Sequence, residues 1–196
     1  MGHSKADKAA SRDRVLQIAA RKVREEGVTR PGIADLMKEA GLTHGGFYKH
    51  FASRDELIAQ ATELALTEGT ANMERAAQKN EEAPRSGLID AYLAKRHRDS
   101  PATGCALVTL GAAAARGDRH LKEAYEQQVR AYLDLLADLD GDSEDARAEA
   151  MVTLSAMVGA MLMARATAGH DLSDELLKTV ADRLKRHVPG TPASAG

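Results

Sequence analysis

Apolar residues recur along this chain at helical spacing almost without a break. Val15, Ile18, Ala19 and Val23 trace one stripe, with the Lys22 stem able to lie along it. The stripe predicts a helix over 6–26 that stops at Gly27, a natural residue just past a helix end. Ile33, Leu36, Met37 and Ala40, at i, i+3, i+4 and i+7, predict a short helix that ends at Gly41. Thr43 stands where it can cap a second short helix running through Phe51. Ser53-Arg54-Asp55-Glu56 then reads as a capping box, opening a long helix to about Asn80. Glu81-Glu82-Ala83-Pro84 breaks it. Further helices are predicted over 86–98, 104–116, 118–139, 143–168 and 173–188, with Gly117, Gly141 and Gly169 between them. No alternating strand pattern and no internal repeat emerges, so the expected fold class is all-α.

Composition agrees. Six aromatic residues in 196 are few for a sheet protein, while 43% apolar and 29% charged residues are typical of a globular chain. A single cysteine, Cys105, excludes an intramolecular disulfide framework, and no zinc-ligand spacing accompanies it. The uncharged runs 100–115 and 150–164 span 16 and 15 residues, short of a membrane span, and are expected to be buried core helices. The polar stretch after Met1 lacks the pattern of a secretory signal, and Ala6 departs from the myristoylation motif. A cytoplasmic location without membrane association is the expectation.

The net charge of -2 conceals an uneven division. Residues 1–60 hold 11 basic and 8 acidic side chains, and the remainder holds 16 basic and 21 acidic. A basic N-terminal module therefore precedes an acidic body. Within it, two short amphipathic helices joined by Gly41-Leu42-Thr43 form a helix-turn-helix pattern, whose second helix lies in the major groove of double-stranded DNA. Half of the aromatic residues, Phe47, Tyr48 and Phe51, fall in that second helix. Phe47 and Phe51 share a face and read as core. Tyr48, Lys49 and His50 lie off that face and can donate to phosphate oxygens, as can Arg54 at the start of the next helix.

The segment 15–61 resembles the N-terminal DNA-binding domain of the TetR/AcrR family of bacterial regulators. The resemblance rests on Gly27, Leu36-Met37-Lys38-Glu39-Ala40-Gly41, Thr43, Phe47-Tyr48-Lys49-His50-Phe51 and Ser53-Arg54-Asp55-Glu56-Leu57. It implies an N-terminal three-helix domain over 1–56, a helical ligand-binding and dimerisation domain over 57–190, and a flexible tail over 191–196. It also implies a homodimer that binds an operator and responds to a small-molecule effector, usually as a repressor. By matching position, Tyr48 and His50 are phosphate anchors, and His44, Gly45, Gly46 and Lys49 face the bases after the capping Thr43. Arg54 stands where the family usually has a Lys on the DNA backbone. Two departures stand out: Pro31-Gly32 replaces a usual Thr pair, and Gly46 replaces a usual small hydroxyl residue or Ala. Gly inside a helix costs up to about 1 kcal/mol against Ala, which suggests close approach of DNA at Gly45-Gly46.

The body is less legible. By order, the helices over 143–168 and 173–188 correspond to the family's dimer-forming pair. Leu154, Met157, Val158, Met161 and Leu162 give the first of them a broad apolar face, and burial within the subunit is the competing explanation. Tyr92, His97, Tyr125 and Tyr132 are candidate polar handles in an apolar effector cavity, and Met157 and Met161 candidate adaptable walls; each is also an ordinary core residue. Cys105 is either a buried thiol or a sensor of oxidants or electrophiles. No catalytic motif or cofactor-binding pattern is found. A helical enzyme and a constitutive DNA-binding protein remain the readings of other classes.

Overall fold

The computed structural model describes residues 5–141 and 145–186, all of whose regular elements are helical. The α-helices are α1 (Lys5–Glu26), α2 (Ile33–Glu39), α3 (Arg54–Gln78), α4 (Pro84–Tyr92), α5 (Lys95–Asp99), α6 (Ala106–Arg116), α7 (Arg119–Asp140), α8 (Ala146–Ala166) and α9 (Asp171–Arg186). Two 3-10 helices, His44–Lys49 and Pro101–Thr103, complete the set. The expected tail over 191–196 lies outside the described residues.

Local chemistry sets many of these ends. Gly27, Gly41, Gly141 and Gly169 all adopt positive φ, and the first two close α1 and the α2 turn. Ser53 Oγ accepts from Glu56 N–H at 3.1 Å, as a capping box requires. The return bond is displaced by one residue: Glu56 Oε2 accepts from Ala52 N–H at 2.6 Å. Asp118 caps α7 through Leu121 N–H at 2.9 Å. Pro84 occupies the first turn of α4, where its missing N–H costs nothing.

Three departures have physical causes. The segment after Thr43 is a 3-10 helix rather than an α-helix, and Thr43 sits at its N-cap without a side-chain bond. Gly45-Gly46 weakens α-helix propensity there, while the Phe47–Phe51 ring pair, 5.7 Å apart, fixes the segment by packing. The single helix expected over 86–98 divides at Leu93-Ala94, where Ala94 is extended. Tyr92 and Leu93 are buried, and His97 folds back to bond the Tyr92 carbonyl, so tertiary packing overrides the helix propensity of Leu93-Ala94. Helix α6 begins at Ala106, with Cys105 as its extended N-cap rather than in its first turn.

One apolar core runs from Val15, Leu36, Met37 and Phe47 in the head, through Leu57 and Leu66 on α3, to Leu136, Met157 and Met161 in the body. Helix α3, 25 residues or about 37 Å long, packs on α1 at one end and on α4 and α7 at the other. The expected domain boundary at 56/57 lies in its first turn.

Arg85 ties the body together. Its Nε meets Asp140 Oδ1 at 2.6 Å, its Nη1 donates to the Leu184 carbonyl and its Nη2 to Thr153 Oγ1, joining α4 to α7, α9 and α8. The Asp140 side chain is only 1% exposed. Arg85→Met is therefore expected to break the buried ion pair with Asp140 and the bonds to α8 and α9, and to lower unfolding free energy by about 3–5 kcal/mol, read by urea denaturation. A loss under about 1 kcal/mol is the contrary result.

Candidate DNA-binding head and effector cavity

The 3-10 helix presents an exposed edge. Phe47 and Phe51 are buried in the head, whereas Tyr48 is 71% exposed and His44, Gly45 and Lys49 also face solvent. A Cβ on Gly45 meets nothing within 4 Å, and one on Gly46 meets Thr43 Oγ1 at 3.5 Å and Met37 Cε at 3.7 Å, both ordinary contacts. Packing inside the protein therefore does not require either glycine. Arg12 holds the end of the segment: its guanidinium lies 4.8 Å over the Phe51 ring and donates to the His50 carbonyl at 3.3 Å. His50 itself is half-buried, with Nδ1 enclosed and unpartnered. Burial first, then Lys8, Lys49 and Arg12, lower its pKa below the ordinary 6.5.

Arg54 is placed differently from Tyr48 and Lys49. Its Nε donates to the Pro31 carbonyl at 3.2 Å, and its Nη2 donates to those of Val28 and Thr29 at 3.1 and 3.0 Å. It clamps the loop between α1 and α2, where Pro31-Gly32 replaces the hydroxyl pair.

Between head and body lies a cavity of about 890 Å³, lined by α1, α3, α4, the 95–105 segment and α7. Four of the sequence candidates, Tyr92, His97, Cys105 and Tyr132, line it together. Tyr125 does not: it donates to the Leu107 carbonyl at 3.2 Å. Met157 and Met161 are fully buried in the core and lie apart from the cavity wall. Gly69, in the middle of α3, allows Tyr132 to approach; a Cβ there would collide with Tyr132 Oη. Burial, and after it the neighbouring Cys105 thiol, push the Tyr92 and Tyr132 phenols well above their ordinary value.

Residues not anticipated from sequence complete the wall. Arg24 on α1 is buried and pairs with Glu68 on α3. It also donates to the carbonyls of Ala65 at 3.3 Å and Ala102 at 3.2 Å. Thr109 on α6 donates to the Arg24 carbonyl at 2.6 Å. In the sequence, Lys22-Val23-Arg24-Glu25-Glu26 looks like a solvated helix end. Gly69 was the available signal, since a glycine inside a long helix marks close approach.

The apolar face of α8 divides. Leu154, Met157 and Met161 turn into the subunit's own core, which corrects their assignment to an intersubunit face. Val158 is half-buried and Leu162 is 53% exposed. Met151, Val152 and Met163 are exposed beside Leu162, and Leu172 is exposed on α9. Helix α8 is long and apolar enough to cross a membrane by length and composition, yet α7 and α9 pack against it.

His97 has a fixed tautomer. The Tyr92 carbonyl only accepts, so Nδ1 carries the proton across 2.6 Å, and Nε2 accepts from Cys105 N–H at 2.9 Å. A second proton would set two donors against each other. Burial, the largest cause, accordingly lowers the His97 pKa below 6.5. Neutral His97 and His50 thus favour folding above pH 6.5, and that contribution is lost as pH falls below it. Unfolding midpoints in urea should fall on acidification from about pH 7.5 to 5, and fall less in His97→Gln. An equal fall in both proteins contradicts the His97 assignment.

Residues 15–61 match the family model described as "Bacterial regulatory proteins, tetR family". Over 55 residues the chain is 36% identical to the HTH-type transcriptional regulator YvdT of Bacillus subtilis, covering 28% of each protein. Over 86 residues it is 31% identical to the HTH-type transcriptional regulator TtgR of Pseudomonas putida, covering 44% of this chain and 40% of that one. These sequence matches span less than half the length of the relatives. The fold extends further. The reduced form of E. coli NemR is similar with a TM-score of 0.75 at 20% identity, over 93% of this chain and all of that one. A TetR transcriptional regulator from Chloroflexus aurantiacus gives 0.74 at 19% identity, over 94% and 98%. Residues 15–61 thus carry a helix-turn-helix segment similar to that of the TetR family, and the whole chain shares the helical fold of these solved regulators.

Proposed function

We propose that the chain is a homodimeric transcriptional repressor that binds a double-stranded DNA operator and releases it when a small apolar or amphipathic effector fills the cavity. One observation carries the reading: the cavity wall includes α1, a helix of the DNA-binding head, joined to α3 and the 101–103 turn by Arg24. An effector that rearranges this wall acts on the head directly. It shifts the equilibrium only if it binds the DNA-incompetent arrangement more tightly.

In the head, Tyr48 and His50 contact phosphate, while His44, Gly45, Gly46 and Lys49 face base edges after Thr43. Arg54 supports them by holding the loop before α2. The dimer forms through the exposed face of α8 and α9, with Leu162 and Val158 from the sequence reading joined by Met151, Val152 and Met163. Its two recognition segments read half-sites about 34 Å apart. The division of charge between basic head and acidic body favours DNA at the head.

The test is fluorescence anisotropy with duplexes selected from a random pool and with unselected duplexes. Tyr48→Phe should weaken binding to both about fivefold, as expected for one lost hydrogen bond. His44→Ala and Lys49→Ala should reduce the preference for selected over random duplexes by about 1–3 kcal/mol. Equal effects of all three on both duplex classes contradict the base-reading assignment, and a preference that does not exist in the wild type contradicts the regulator reading.

A further inference from the structure

We infer that the cavity is built for an organic carboxylate with an apolar body, its charge held at the mouth by Arg96 and Lys79 and its apolar part reaching Tyr92. The inference rests on the proposed function in naming the chemical class of the effector.

Charge at the lining is one-sided. Arg21, Arg24, Arg75, Lys79 and Arg96 face a single carboxylate, Glu68, among the described lining residues. That carboxylate is engaged with Arg24, and Arg21 is paired with Glu39 at 2.9 Å outside the cavity. Arg75 meets only the neutral Asn72 amide. Lys79 and Arg96 have no hydrogen-bonding or ionic side-chain partner among the described residues, and both are exposed at the cavity edge. Glu81 and Glu82, next to Lys79 in the chain, are not part of the lining. The mouth thus holds cations free to meet an anion, and a guanidinium gives a carboxylate charge-assisted, bidentate bonds.

The inner end has the opposite character. Met73, Leu88 and Tyr132 are buried there. Tyr92 is 5% exposed, lines the cavity, and its hydroxyl is enclosed beside the Cys105 thiol. An apolar skeleton about the size of a fused ring pair packs against this inner wall, while a carboxylate at its outer end meets the cations of the mouth. The volume of about 890 Å³ accommodates it with room to spare.

The experiment is calorimetric titration of the full chain with 2-naphthoate, 2-naphthamide and 2-naphthylmethylammonium, which share a ring system and differ in charge. The acid should bind about tenfold more tightly than the amide, and the ammonium more weakly than either. Lys79→Gln/Arg96→Gln, at two exposed positions, should remove the preference for the acid and leave amide binding in place. Tyr92→Phe, which keeps the ring that meets the apolar part, should leave the preference for the acid in place. Equal or tighter binding of the amide or ammonium, no binding of the acid up to about 1 mM, or a preference unchanged in the double variant overturns the inference. Duplex binding measured in parallel separates the two readings. Charge-selective binding of the acid with no change in duplex affinity sustains the site and counts against effector control of DNA binding.

Discussion

Arg24 is the constraint on which the rest of the arrangement depends. A guanidinium taken out of water is tolerated only when its donors are matched, because the desolvation cost exceeds what a single ion pair returns. Here Glu68 supplies the countercharge, and the carbonyls of Ala65 and Ala102 take two further donors. These partners lie on α3 and on the 101–103 turn, while Arg24 itself belongs to α1. One buried cation therefore fixes the angle between the DNA-binding head and the helix that enters the body. The same side chain forms part of the cavity wall, so cavity and head share an atom group rather than a chain of intermediates.

Around this link the molecule is organised by similar buried ties at two other points. Arg85 draws α4, α7, α8 and α9 together at the far end of the body. His97, locked between the Tyr92 carbonyl and the Cys105 amide, pins the start of α6 to the end of α4. Arg165 adds a bond to the His97 carbonyl at 3.1 Å, packed where Gly104 has no Cβ. The cavity lies among these ties, with cations at its mouth and phenols within. Its shape follows from small residues, notably Gly69, that let side chains from neighbouring helices approach the α3 backbone.

The features legible in the sequence are those encoded by neighbours along the chain. Helix ends at Gly27 and Gly41, the Ser53 cap and the break before Pro84 are local chemistry and stand where periodicity and capping place them. The recognition segment was legible in its aromatic residues and exposed donors, but not in its 3-10 geometry, which Phe47–Phe51 packing settles against weak local propensity. The split between α4 and α5 was hidden for the same reason: good helix formers are overruled by burial of Tyr92 and Leu93. The inward turn of Leu154, Met157 and Met161 was not legible because α8 is apolar on more than one side, so periodicity does not say which side meets its own subunit. Charged residues that end up buried, Arg24 above all, carry no mark in sequence that separates them from a solvated face.

The most direct measurement is the effect of a cavity ligand on duplex affinity in the wild type and in Arg24→Met. A selected duplex is titrated by fluorescence anisotropy with and without saturating 2-naphthoate, and acid binding is verified separately in both proteins. The account predicts that the acid lowers wild-type affinity by about tenfold or more, a coupling of about 1.4 kcal/mol. Arg24→Met should bind duplex and acid and yet show almost no coupling between them. The same loss of affinity in both proteins, or none in the wild type, contradicts Arg24 as the link between cavity and DNA.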